Sequence, residues 1–176
     1  MKKNIIITFF LMIFCTTIHA QTPNEIHTLL QTPAVTNAQA ASFVLEAADV
    51  TGAYDKTSEQ DAIRFAIENK WLPKNANAHD SITLENFSYL VMKAFGLKGG
   101  PMYTLFNNAH YSYREMVYRE LIQGRSDPKM KVSGYTMILI VNRLLFRLEN
   151  DPWKIPEHST ETHAAETPAG LAEGNQ

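Results

Sequence analysis

Between residues 36 and 150, apolar side chains recur at spacings of three and four, the period of an amphipathic helix. Ala38 to Ala48 places Ala41, Val44, Leu45 and Ala48 on one face, and Asp61 to Trp71 does the same with Ile63, Ala66, Ile67 and Trp71. Leu84 to Phe95 offers Phe87, Leu90, Val91, Ala94 and Phe95. Ser112 to Ile122 offers Met116, Val117, Leu121 and Ile122, and Gly134 to Leu148 offers Met137, Ile138, Val141, Leu144, Leu145 and Leu148. No long polar/apolar alternation competes with these stripes. The pattern predicts an all-α domain over 36–150 with five main helices.

The helix starts share a second pattern. Thr36, Thr83 and Ser133 each follow a β-branched residue (Val35, Ile82, Val132) and precede an apolar helix. A hydroxyl there can accept from an unpaired first-turn amide, and Thr36 with Gln39 fits the capping box. Thr83 and Ser133 lie 50 positions apart, as do Trp71 and Leu121, Leu72 and Ile122, Phe87 and Met137, Leu90 and Ile140, and Val91 and Val141. Thr36 precedes Thr83 by 47. The spacing predicts a repeated unit of about fifty residues made of helix, polar turn, hydroxyl cap and second helix. Val35 to Ala48 would be the second half of a truncated unit, and such units bury their faces against their neighbours.

The ends change the picture. Lys2 and Lys3, the apolar run Ile5 to Phe14, and Ala20 before Gln21 have the form of a secretory signal peptide over 1–20. The run is shorter than the ~20 residues that span a bilayer. Its removal takes two of 16 basic residues and none of 18 acidic ones, leaving a net charge of -4. That balance argues against a dedicated nucleic-acid binder. The single cysteine, Cys15, falls inside the signal, so the exported chain would have no disulfide, thiolate metal site or cysteine nucleophile. Cys15 also stands where a lipoprotein carries its acylated cysteine, although Phe14 occupies the place a lipobox gives to a small residue. Residues 21–35, polar with Pro23 and Pro33, read as a flexible lead-in. Residues 151–176 read as a disordered acidic tail, since Leu171 is their only large aliphatic residue after Ile155.

The stretches Asn69-Lys70-Trp71-Leu72-Pro73 leading to Ile82-Thr83-Leu84-Glu85-Asn86-Phe87, and Glu120-Leu121-Ile122-Gln123-Gly124 leading to Val132-Ser133-Gly134-Tyr135-Thr136-Met137, resemble S-layer homology repeats. Val35-Thr36-Asn37-Ala38-Gln39-Ala40 is the leading fragment of the same pattern. The resemblance covers roughly Val35 to Leu148 and is one of pattern rather than identity. It implies three pseudo-symmetric modules that hold cell-wall polymer in the grooves between them, with an arginine after the capping threonine central to binding. At the three matching places this chain has Asn37, Leu84 and Gly134.

Candidate chemistry concentrates between Tyr103 and Arg147. Five of the seven tyrosines lie between Tyr103 and Tyr135, and from His110 to Arg147 seven basic residues face three acidic ones. Rings that stack on sugars, beside arginines that pair with carboxylates or phosphates, suit a glycan-containing polymer. The candidate ligand-binding residues are Tyr103, Tyr111, Tyr113, Arg114, Tyr118, Arg119 and Arg125; the competing reading has the rings filling the gap between helices and the arginines on solvated faces. Other motifs fail on chemistry. Gly96-Leu97-Lys98-Gly99-Gly100-Pro101 follows a helix and lacks the Gly-Lys-Ser/Thr ending of a phosphate loop, so Gly96 reads as a helix C-cap. Asn75, Asn77, His79 and Asp80 resemble half a calcium loop, but Asp80 and Asn86 stand where glycine and glutamate are needed. The histidines lack zinc spacing, and Glu115 and Glu120, five apart, make a poor acid/base pair. No metal, cofactor or catalytic group is expected. The sequence therefore predicts a non-enzymatic exported protein of the periplasm or cell envelope. Its partner would be cell-wall polysaccharide or peptidoglycan, or, as the alternative, another envelope protein.

Overall fold

The computed structural model describes residues 23–50, 58–124 and 126–150. Among them are the helices α1 (Pro23–Gln31), α2 (Asn37–Ala47), α3 (Glu59–Glu68), α4 (Leu84–Ala94), α5 (Pro101–Phe106), α6 (Ala109–Tyr118) and α7 (Gly134–Asn150). Extended pairing within these residues is limited to the isolated bridges Thr36–Ser81 and Thr83–Lys131. The chain is all-α. No helix among the described residues is long and apolar enough to cross a membrane.

Local chemistry sets the helix ends. Thr36 accepts from the Gln39 amide while the Gln39 side chain accepts from the Thr36 amide, a complete capping box. Thr83 accepts from Asn86, and Ser133 accepts from Thr136 at 3.1 Å. Ser58 and Asn108 cap α3 and α6 in the same way. Four helices stop through a left-handed residue just past the cap: Asp49, Lys70, Gly96 and Glu120, with φ of 48°, 61°, 60° and 58°.

The core gathers where the second helices meet. Phe87, Leu45, Ile82, Leu84, Leu90, Met116, Leu121, Met137, Ile140 and Leu144 are among its fully buried side chains. At its centre three buried residues exchange backbone hydrogen bonds in a ring. The Val35 amide donates to Val132 O at 2.8 Å, the Val132 amide to Ile82 O at 3.2 Å, and the Ile82 amide to Val35 O at 3.1 Å. A second ring surrounds it, built from first-turn amides that a helix cannot satisfy internally. Asn37 donates to Asp80 O, Leu84 to Met130 O and Gly134 to Thr32 O, at 2.8, 2.9 and 2.9 Å. Each helix that leaves the hub packs on another helix: α2 on α3, α4 on α6, and α7 on α1.

The segment expected as a flexible lead-in therefore holds α1. Pro23 stands at its first position, where a missing amide costs nothing. Thr32 and Leu29 at its end contact Gly134, so α1 is tied into the fold by α7. The link after Gly96 likewise carries an unexpected helix, α5, opened by Pro101. Val117 and Leu145, read as core positions, are 38% and 40% exposed. The buried stripe of α6 runs through Ser112 and Met116 to Arg119, which turns Val117 about 100° away from it. Residues 1–20, 151–176 and Arg125 lie outside the described residues.

Candidate functional site

Helix α6 is the axis of the predicted binding region. Asn108 fixes its start: Asn108 Oδ1 accepts from the Tyr111 amide at 3.1 Å, and Asn108 O accepts from Ser112 Oγ at 2.9 Å. Ser112 and Met116 then point into the contact with α4. These constraints set the direction of every candidate side chain on the helix.

Arg119 points inward. Its Nε donates to Glu115 Oε1 at 2.6 Å and its Nη2 to Lys98 O at 3.2 Å, with side-chain exposures of 5% for Arg119 and 11% for Glu115. Glu115 Oε2 also accepts from the Gly100 amide at 3.0 Å. The pair thus ties the segment before α5 onto α6, and each charge meets a partner and a further hydrogen bond. Tyr103 is buried beneath the same segment, and its ring leaves no room for a side chain at Gly99. Burial pushes the Tyr103 phenol up to about 12, with smaller contributions from neighbouring Tyr89 and Glu115. It is a neutral hydroxyl at any physiological pH.

Tyr113 is held too: its hydroxyl hydrogen-bonds Ser126 O and Oγ at 3.0 and 2.9 Å, fastening the turn before the hub. Tyr111 is partly buried and stacks on Phe106 with ring centroids 4.9 Å apart, while His110 meets its edge at 5.3 Å. Arg114 and Tyr118 remain exposed, one turn apart on the same face of α6. Arg125 lies outside the described residues. The six described candidates therefore do not converge on one site. Tyr103, Tyr113 and Arg119 build the scaffold, Tyr111 supports α5, and Arg114 and Tyr118 face solvent.

Two further features matter. Glu115, dismissed as an acid/base partner of Glu120, is the organising residue of this region, and its i,i+4 spacing to Arg119 was the signal that could have found it. Beyond the cluster, Tyr135 and Phe146 on α7 are 60% and 66% exposed. Arg147 of α7 reaches Glu120 at 3.4 Å, and Arg143 donates to Leu121 O at 3.2 Å, so the outer half of α7 lies beside the end of α6.

The three places that match the arginine of S-layer homology repeats are closed. Asn37 is buried and donates through Nδ2 to Asn77 O at 2.8 Å. Leu84 is 1% exposed. At Gly134 a Cβ would lie 1.7 Å from Leu29 O. The polar turn at 75–80, which resembles half a calcium loop in sequence, serves this packing: Asn77 O accepts from Asn37 Nδ2, and Asn77 Oδ1 accepts from the His79 amide. No family model, curated protein or solved structure matches the chain.

Proposed function

We propose that this is a non-enzymatic, exported protein of the cell envelope, built from three helix pairs related as S-layer homology-like repeats, that docks another envelope protein. The repeat reading is supported by the hub: Val35, Ile82 and Val132 stand at the spacings of the three capped helices and exchange equivalent hydrogen bonds. Export is supported by the signal-like residues 1–20.

The observation that carries the choice of partner is the closure of Asn37, Leu84 and Gly134. In the family they resemble, these positions present the cation that holds wall polymer; here they are packing positions. What the fold leaves outside instead is aromatic and apolar: Tyr118, Tyr135 and Phe146. Amphipathic rings of this kind anchor protein interfaces at low entropic cost. A second reading, affinity for wall polymer, retains the exposed Arg114 and Tyr118 and the exposed Lys129 and Lys131 in its favour.

The test immobilises residues 21–176 and passes over them envelope proteins solubilised in mild detergent and, separately, protein-free sacculi. Retention of a protein that Y118S/F146S releases is the expected result. Salt-sensitive retention on sacculi would return the assignment to wall polymer, and failure of both arms would overturn the docking role.

A further inference from the structure

Every residue from 101 to 108 is exposed except Tyr103, which is buried, and Pro101–Phe106 forms the six-residue helix α5. Leu105 is 74% exposed, Met102 59% and Phe106 51%. The helix is nevertheless firmly seated. Tyr103 anchors it from beneath, Thr104 Oγ1 donates to Gly100 O, Phe106 stacks on Tyr111, and left-handed Asn107 ends it. The result is a rigid convex knob with three large apolar side chains on its outer side. A cluster of this kind on a small domain marks an interaction surface.

The charge of the segment that carries the knob is one-sided. From residue 86 to residue 114 there is no acidic residue, in a chain that carries 18. The same stretch contains Lys93, Lys98, His110 and Arg114, of which Lys98, His110 and Arg114 are exposed. Glu115, which bounds the stretch, is engaged by Arg119 and the Gly100 amide. An apolar tip carried on a basic, acid-free segment is complementary to a surface that is anionic outside and apolar within.

We infer that the α5 knob docks on an anionic phospholipid surface, with Met102, Leu105 and Phe106 entering the boundary between headgroups and acyl chains and Lys98, His110 and Arg114 meeting the phosphates. Apolar side chains with cationic flanks bind the interface in this manner, and their affinity rises with anionic lipid content. A polysaccharide offers no apolar phase for Leu105, and a convex knob gives an acidic peptide no groove to lie in. The inference goes beyond the protein-docking role and does not depend on it.

Flotation of residues 21–176 with vesicles tests it; this span keeps every described residue and omits the apolar run 5–14, which would itself bind lipid. On vesicles of phosphatidylcholine and phosphatidylglycerol at seven to three, binding should exceed that on phosphatidylcholine alone by about thirtyfold, from roughly 1 kcal/mol for each of Lys98 and Arg114. L105S/F106S should lose binding, and M102S/L105S, which spares the Phe106–Tyr111 stack, should lose it without a change in melting temperature. K98Q/R114Q should lose the preference for anionic vesicles. Absence of binding to the anionic vesicles, or undiminished binding by L105S/F106S, overturns the inference. So does a concentration-dependent dimer that L105S/F106S abolishes without any vesicle binding, which would make a second copy the occupant. The detergent capture that reads Tyr118 and Phe146 is unaffected by either outcome.

Discussion

Arg119 and Tyr103, candidate ligand contacts in the sequence, are buried in the fold, Arg119 bonded to Glu115 and Lys98 O, so their substitution should be read in stability. Replacing Arg119 with Met leaves Glu115 in a nearly dry site with only the Gly100 amide as partner. Removing one member of a buried pair costs about 3–5 kcal/mol. Denaturant unfolding of R119M should show that loss, whereas R114M, on the exposed side of the same helix, should lie within about 0.5 kcal/mol of the parent. Equal behaviour of the two variants would refute the inward assignment. Tyr103 makes a pH prediction. Its phenol, raised to about 12 from 10.0, stays protonated in the fold after the unfolded chain has lost its proton. The unfolded state then binds fewer protons, so stability present below pH 10 is lost as pH rises from about 10 toward 12. Melting curves across that interval should fall for the parent and fall less steeply for Y103F. The caps Thr36, Thr83 and Ser133 belong to the same scale, with alanine at any one costing about 1 kcal/mol.

Elements were legible where a stripe was long enough to declare a period. α2, α3, α4, α6 and α7 follow from apolar residues at three and four, and their caps follow from a hydroxyl before the stripe. α5 was not legible because six residues hold less than two turns, and a period needs more. α1 was obscured by Pro23 and its polar residues, although Ile26, Leu29 and Leu30 carry the right spacing. The tyrosine and arginine cluster was visible as composition, but composition does not say which way a side chain turns; the Asn108 cap and the Ser112–Met116 stripe decide that. Gly134 tests whether α1 is a true partner of α7. By helix propensity alone, alanine at position 134 should stabilise α7 by up to about 1 kcal/mol. In the fold its Cβ would lie 1.7 Å from Leu29 O, and the obstacle is backbone. Relief requires α1 to shift, so G134A should destabilise by about 1–3 kcal/mol, the usual cost of overpacking. The sign of the change in an unfolding titration decides between a docked and an undocked α1.

For the whole molecule, the hub makes a stronger claim than any helix pair does. Because Val35, Ile82 and Val132 form a closed ring, and Gly134 donates to Thr32 before the ring begins, the first and last of the described helices, α1 and α7, are joined through the centre. Removing residues 21–34 should therefore weaken regions beyond the α1–α7 pair. Trp71 is a suitable reporter: it packs edge-on against Phe65 of α3, 5.4 Å between centroids. With Trp153 changed to Phe, Trp71 becomes the only tryptophan. The deletion strips the apolar cover from one face of α7 and leaves the Gly134 amide without its acceptor, a loss on the order of 3 kcal/mol, or about 10 °C in melting temperature. If the ring makes one cooperative unit, Trp71 fluorescence and helical circular dichroism should shift together by that amount, as coincident probes do in two-state unfolding. A Trp71 midpoint that stays in place while part of the helical signal melts early would show that α1 and α7 unfold on their own. Truncation after Asn150 supplies the control: the hub and its helix pairs all lie upstream, so both probes should keep their midpoints to within a few degrees.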